Sequence, residues 1–382
     1  MKKIKLLYIL NVANKVNNFS YTSMLAAQEL GFEFHIAGNW SYESDEERMD
    51  DEERYGIKIH QVDFVRTPYH PGNIKAYKQL KSLAQKEQYD VIHCNTPIGG
   101  VLGRIIGKQL NVQKVIYQAH GFHFYKGAPK VNWIIYYPIE KWLAKHTDAL
   151  ITINKEDFEL AKSKFKLRGK GKVYYIHGVG IDTDFYIPDG ETHKDLQKES
   201  ELSDNDFAVI SVGRLEQNKN TAILIKAVST LENRNVKLIL CGDGEQRGYL
   251  EKLSAELGLK KQVIFLGNVA DMKKVYRAAD VLASASFREG LSRTVMEAMA
   301  SGLPCVISKI RGNTDLIEDG KGGFLCEPTD FKAYSEAITV LSQDASLRES
   351  MKNENLNRIK EFNIPTVVSE TKKIYGEVTG RV

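Results

Sequence analysis

Short apolar runs alternate with longer amphipathic stretches along the whole chain, the pattern of βα units wound around a parallel sheet. In the first half the runs at 4–10, 33–37, 57–62, 90–94, 114–118, 149–153 and 173–176 read as strands, and 19–30, 74–87, 99–110 and 154–165 as helices between them. The segment 182–204 breaks the rhythm, being polar, charged and interrupted by Pro188 and Gly190, and is expected to link two domains. The rhythm restarts with strand candidates at 208–212, 237–241, 263–266, 281–283, 305–307 and 323–325, and with helices at 221–231, 246–257 and 331–341. Two similar open α/β domains are therefore expected, with ligands outside the carboxyl ends of their strands, in the cleft between the domains.

Length and composition agree with this picture. A chain of 382 residues is too long for one ordinary core. A net charge of +4 is too mild to argue for nucleic acid, and no apolar run approaches the ~18 residues of a membrane-spanning helix. The start MKKIKLLYIL resembles a signal peptide, but its apolar stretch is short and fits a first buried strand better. Cys94, Cys241, Cys305 and Cys326 are scattered among apolar residues without CxxC spacing, as small core residues in a reducing compartment are. The expected location is the cytoplasm, or its membrane face.

The most informative segment is REGLSRTVMEAMASGLP, which follows the apolar run at 281–283. It offers a carboxylate on a turn at Glu289-Gly290, an N-cap at Ser292 and a short helix ending at Gly302. The first N–H groups of such a helix, at Arg293, Thr294 and Val295, form an anion site. Glu289 and Glu297 flank that site, and an acid beside a phosphate pocket suits hydroxyls rather than the phosphate. Two such acids around one helix start fit a diphosphate with sugar hydroxyls on both sides, a nucleotide-sugar.

A second loop, Gly213-Arg214-Leu215-Glu216-Gln217-Asn218-Lys219, ends the first strand of the second half. Gly213 permits a tight turn, and Arg214 and Lys219 can converge on an anion. By itself this would read as a solvated loop; beside the Glu289 segment at the same sheet edge, the functional reading prevails. Cys241-Gly242-Asp243-Gly244 has the wrong spacing for a dinucleotide loop, and its acids would face the pyrophosphate, so a nicotinamide enzyme is not expected. Asp182-Thr183-Asp184 and Asp204-Asn205-Asp206 read as turn formers and caps. No metal site and no cofactor are expected, which leaves Arg214, Lys219 and a helix dipole to neutralise a departing diphosphate.

In the first half, Gln118-Ala119-His120-Gly121-Phe122-His123-Phe124-Tyr125-Lys126 ends a strand with two histidines and three aromatics on one loop. His120 suits hydrogen bonding near a reacting sugar; packing and capping is its plainer role. Trp133-Ile134-Ile135-Tyr136-Tyr137 is apolar on every side, with Lys130, Trp142 and Lys145 nearby. Such a helix is usually buried in its own domain, the reading favoured here. The second reading is an interfacial patch on anionic lipid.

Taken together these motifs resemble the retaining, GT-B-fold glycosyltransferases of family four, and most closely the bacterial capsule and exopolysaccharide branch. HCNTPIGG, AHGFHFYKGAP, NWIIYYPIEK, TDALITINKED, HGVGIDTDFY, GRLEQNKN and EGLSRTVMEAMASGLP occur in the family's order and spacing over nearly the whole chain. The resemblance implies two Rossmann-like domains facing across a cleft: an acceptor-binding domain at 1–181, a linker at 182–206, a donor-binding domain at 207–362 and a terminal helix at 363–382 crossing back. It implies that Arg214 and Lys219 bind the donor diphosphate, Glu289 the donor sugar, Glu297 the ribose, and the backbone of Leu291 and Ser292 the donor, with His120 beside the reacting sugar. Many family members carry a Gly-Gly pair after the first strand; here the loop reads Asn11-Val12-Ala13-Asn14-Lys15, so acceptor choice is its expected role. The implied reaction moves a sugar from a UDP-sugar to a lipid-diphosphate-linked saccharide by front-face displacement. The partners are that donor, that acceptor and, on the second reading of 133–137, anionic membrane. A nucleotide-sugar epimerase of the same architecture and a non-catalytic glycan- or nucleotide-binding module are the alternatives.

Overall fold

The structure is a computed structural model that describes residues 3–13, 15–16, 18–95, 97–187, 202–203 and 205–381. Of the expected linker, residues 188–201 and 204 lie outside the described residues, as do Asn14 of the first loop and Thr96 of the HCNTPIGG motif. The chain divides into two compact units, Met1–Gly180 with Ile364–Val382, and Ile181–Asn363.

The first unit is a seven-stranded parallel sheet. Its strands are β1 (Lys5–Val12), β2 (Glu33–Asn39), β3 (Lys58–Gln61), β4 (Val91–Asn95), β5 (Lys114–Ala119), β6 (Ala149–Thr152) and β7 (Lys172–Tyr175), in the order β3-β2-β1-β4-β5-β6-β7. The second unit holds β8 (Phe207–Val212), β9 (Val236–Cys241), β10 (Val263–Gly267), β11 (Val281–Ser284), β12 (Cys305–Ser308) and β13 (Gly323–Cys326), in the order β10-β9-β8-β11-β12-β13. Central strands such as β4 and β12 are buried at every position, because helices cover both faces of each sheet. The chain order reverses between β1 and β4 in one sheet and between β8 and β11 in the other. These reversals open crevices at the strands' carboxyl ends, where ligands of such sheets bind.

In the first unit the helix Pro97–Gln109 lies against β4 and β5 along a glycine stripe. A Cβ on Gly100 would come 2.4 Å from Tyr117 Cε2, one on Gly103 2.6 Å from Cys94 Cβ, and one on Gly107 2.5 Å from Val115 Cγ2. This close approach sets where β4 and β5 end relative to the helix start. Gly103→Val is expected to cost about 1–3 kcal/mol by overpacking, measured as a lower urea midpoint at unchanged m value.

The terminal helix Ile364–Thr379 packs on the first unit and buries Val367, Ile374 and Tyr375. Tyr375 Oη lies 2.6 Å from Nδ1 of the fully buried His93 in β4. Burial pushes the His93 imidazole down to about 3. A histidine depressed this way takes its proton in the unfolded chain first. Its contribution is therefore complete above the unfolded value of about 6.5 and is lost as pH falls toward the folded one. His93→Gln should flatten the acid side of the stability profile by about 1.4 kcal/mol per pH unit between roughly pH 6 and 4. Urea midpoints across that range test it, and an unchanged slope would remove His93 from the account.

One expectation is corrected. The helix Lys130–Ala144, favoured above as a core helix, buries only Leu143 and Ala144. Tyr137 packs its ring 5.5 Å from Phe124, whereas Ile134 is 73% exposed and Val131 and Trp142 about half exposed. One face, carrying Tyr137, packs against Phe124 and Phe165, and the rest of an all-apolar sequence is left outside. A second helix, Asp45–Tyr55, is not among the expected ones: it buries no residue and is set by the Ser44–Glu47 capping box.

Candidate active site

In the second unit, the loops that follow β8, β11 and β12 interlock at the strands' carboxyl ends. Gly213 leaves β8 at φ +143°, and a Cβ there would lie 3.3 Å from Lys219 Cε, so the glycine makes room for the lysine stem. Within the single turn Gln217–Lys219, Asn218 Nδ2 donates to Arg288 O at 3.1 Å and Phe287 N donates to Asn218 O at 2.8 Å. Asn220 Nδ2 donates to Ala285 O at 3.2 Å and to Pro328 O at 2.7 Å. These bonds bring Lys219 Nζ 2.8 Å from Glu289 Oε1, both side chains being largely covered. The residue expected on the donor diphosphate and the one expected on the donor sugar therefore touch.

The loop after β12 braces this pair from the other side. Arg311, itself buried, donates from Nε to Glu289 O at 3.3 Å, and Ser308 Oγ donates to Ser286 O at 2.7 Å. A Cβ on Gly312 would lie 2.5 Å from Gly290 O, so the two backbones meet directly. Gly242 plays the same part toward Gly213: its Cβ would lie 2.1 Å from Gly213 O.

Ser292 caps the helix Arg293–Ala300, its Oγ accepting from Val295 N at 3.4 Å, with Leu291 half-buried just before it. Its position in the first turn leaves N–H groups of that turn outside the helix ladder. Glu297 lies deeper than expected, 8% exposed: its Oε2 accepts from Tyr276 Oη at 2.9 Å and its Oε1 from Arg293 Nε at 2.7 Å. Tyr186 also hydrogen-bonds to this carboxylate. Arg214 is the looser of the two expected phosphate ligands, exposed and 3.5 Å from Glu245. Arg311 and Gly312 are not among the expected site residues; an arginine-glycine pair just after a buried strand is the signal that could have found them.

In the first unit, His120 follows β5, next to the end of β4. Its Nε2 lies 3.0 Å from Asn95 Oδ1, and the Asn95 amide is oriented by Nδ2 donating to Ile9 O at 3.4 Å. An amide oxygen only accepts, so Nε2 carries the imidazole proton and Nδ1 the lone pair. Nδ1 is buried and has no partner among the described residues, and burial pushes the ring's pKa down to about 4. His120 is thus a neutral acceptor near pH 7. His123 lies tilted against Tyr136, ring centroids 4.7 Å apart, and lines the same cavity as His120. Among the described residues no three His, Cys, Asp or Glu side chains gather as a metal cluster. No described helix is long and apolar enough to cross a membrane.

Two sheets of this topology, each with its chemistry-bearing loops at the reversal of strand order, define a GT-B-type α/β protein. The chain matches the model of Glycosyl transferases group 1 over residues 193–358 and that of Glycosyl transferase 4-like over residues 5–154. It is 35% identical to EpsD of Bacillus subtilis, assigned as a glycosyltransferase, over 91% of this chain and 90% of that one. It is 30% identical to an Escherichia coli UDP-Gal:α-D-GlcNAc-diphosphoundecaprenol α-1,3-galactosyltransferase, over 79% of this chain and 81% of that one. Anabaena Alr3699/HepE in complex with UDP-glucose shares the fold, with a TM-score of 0.79 at 21% identity over 98% of this chain and 100% of that one. The chain belongs to the group 1 glycosyltransferases, and is an enzyme of the hexosyltransferase type.

Proposed function

We propose that this glycosyltransferase moves a sugar from a UDP-sugar to a saccharide carried on a lipid diphosphate, with retention at the anomeric carbon, in bacterial capsule or exopolysaccharide synthesis. The observation that carries the reading is the covered Lys219–Glu289 pair beside a capped helix start. It sets a cation for phosphate against a carboxylate for hydroxyls at a single sheet edge. The UDP-sugar and diphosphoundecaprenol named for the Escherichia coli relative support the choice of donor and acceptor.

In this reading Lys219, Arg214 and the N–H groups at Leu291, Ser292 and the first helical turn hold the diphosphate, with Gly213 keeping the approach open. Glu289 accepts from hydroxyls of the transferred sugar and Glu297 from the ribose. His120 Nδ1 accepts a hydrogen bond from a reacting hydroxyl. The anomeric C–O bond to phosphate breaks while the acceptor oxygen bonds to the same face of that carbon, and the acceptor proton passes to the leaving phosphate oxygen. Positive groups fixed before the charge develops lower this barrier without reorganising.

Glu289→Ala is expected to lower turnover by about 10–100-fold, the effect of about 1–3 kcal/mol for hydrogen bonds left unmade. The Kd for UDP should stay within about threefold, because UDP lacks the sugar. Calorimetric titration of UDP beside the turnover assay checks this, and an equal loss of UDP affinity would sink the assignment.

The exposed apolar face of the helix Lys130–Ala144 carries the membrane part of the proposal. Ile134 and Trp142 would sit at headgroup depth, with Lys130, Lys141 and Lys145 beside anionic phosphates, placing the enzyme at the cytoplasmic membrane face. Flotation with vesicles rich in anionic lipid should recover the parent protein, and Ile134→Glu with Trp142→Glu should reduce recovery at least fivefold. Equal recovery of both would reject this face.

A further inference from the structure

The first unit contains a cavity of about 510 Å³, within the range of small-ligand sites, whose walls have a chemistry unlike that of the donor site. Its apolar lining includes Ile98, Val101 and Leu102 of the glycine-striped helix, Phe124, and Tyr136 and Ile139 of the helix Lys130–Ala144. Three polar side chains on the wall, Glu140, Tyr117 and Asn73, are committed inside the protein. Glu140 binds Arg104 through both oxygens, at 2.7 and 3.1 Å, and accepts from Tyr117 Oη at 3.3 Å. The Arg104 guanidinium lies 3.7 Å from the Tyr117 ring centroid. Asn73 Oδ1 accepts from Val65 N at 3.0 Å, and its Nδ2 donates to Thr67 O at 3.0 Å. His123, which lies against Tyr136, and the hydroxyl-bearing Tyr69 and Tyr136 also line the wall, and the buried His120 Nδ1 has no partner among the described residues.

A sugar placed here would bury several hydroxyls against walls that offer few partners, each costing about 1–3 kcal/mol. Hydrocarbon suffers no such penalty and gains by leaving water. Two further observations say which hydrocarbon. Ile139 lines the cavity and is also 42% exposed, on the helix whose outer face presents Ile134 and Trp142. A second cavity of about 360 Å³ shares Pro68, Tyr69, Asn73 and Leu102 with the first and continues the track to the exposed Ile74. The track thus runs from an exposed apolar surface to His120.

We propose that this cavity binds the sugar-proximal hydrocarbon of the acceptor lipid, so that the enzyme recognises its acceptor partly through the isoprenoid chain. The inference rests on the lipid-linked acceptor reading above. It makes acceptor KM dependent on the chain while leaving the donor site untouched.

The test begins with binding in the absence of turnover. The probe is a dansyl-labelled farnesyl ether, read by energy transfer from Trp133 and Trp142. The parent protein should bind it saturably, and UDP should not displace it. Val101→Phe, which fills the cavity, and Ile139→Asp, at a solvent-accessible position on its wall, should each weaken binding at least tenfold. The second readout compares a farnesyl-diphosphate-linked acceptor with the methyl glycoside of the same sugar. Both variants should raise KM at least tenfold for the first and change neither constant for the second. Undiminished probe binding in both variants, displacement of the probe by the methyl glycoside, or an equal KM rise for both acceptors would overturn the inference. Saturable probe binding lost in both variants, with no lipid-linked acceptor ever glycosylated, would uphold a hydrocarbon site and reject the acceptor reading instead.

Discussion

Lys219→Ala is expected to slow sugar transfer by roughly 10²–10³-fold, corresponding to about 2–4 kcal/mol for loss of one preorganised group that meets the departing diphosphate. Its covered position, 2.8 Å from Glu289, raises a competing explanation: that Lys219 acts only by neutralising that carboxylate. Removing one partner of a covered pair leaves the other charge unpaired, which is costly in itself. A double-mutant cycle separates the two. If neutralisation were the whole role, Lys219→Ala with Glu289→Gln would recover most of the activity lost by Lys219→Ala alone. The phosphate role predicts no recovery, because a neutral amide supplies no cation. Lys219→Arg should restore charge but not position, and remain below the parent rate. Parent-level turnover in Lys219→Ala would end the phosphate assignment.

The second large effect concerns His120. Its Nδ1 lone pair is available because Asn95 Oδ1 takes the proton side of the ring and burial holds the pKa down to about 4. Activity of the parent should therefore vary less than about twofold, on account of this group, between pH 8 and pH 5.5. Asn95→Asp keeps the acceptor geometry but sets a negative charge beside the ring, which raises a histidine's pKa by roughly 1–3 units. An acid limb should then appear at about pH 5–7, with about tenfold loss at pH 5.5 relative to pH 8, because the protonated ring no longer accepts. His120→Phe should lose about 10–100-fold at every pH, the effect of leaving one hydroxyl without a partner. A flat profile in Asn95→Asp would show that His120 does not act through a free lone pair.

Much of this is legible in the order of the residues alone. The strands stand out because a doubly covered parallel sheet needs unbroken apolar runs, and the thirteen runs correspond to β1 to β13. The Glu289 segment is legible because a helix cap, a turn glycine and two acids have local spacing. Contacts set by tertiary packing are not. The pairing of Lys219 with Glu289 spans 70 residues and depends on Asn218 and Asn220 tying two loops together. Glu297 reads as an open carboxylate because sequence does not reveal that Tyr276 and Arg293 close over it. The helix Lys130–Ala144 misleads for a physical reason: an all-apolar sequence marks both a buried helix and one bound for another apolar surface, and only the position of its neighbours distinguishes them. Arg311 and Gly312 carry no signature alone, and gain meaning from Gly290 lying against them.

The most direct test of the central claim is a donor screen in which UDP release and labelled lipid-linked product are measured in the same reaction with membrane extract. One UDP-sugar should give UDP and lipid-linked saccharide in equal amounts, both dependent on added acceptor and both reduced in Lys219→Ala. Conversion of a UDP-sugar to its epimer without any acceptor, or binding of UDP-sugars with no lipid-linked product from any of them, would contradict it.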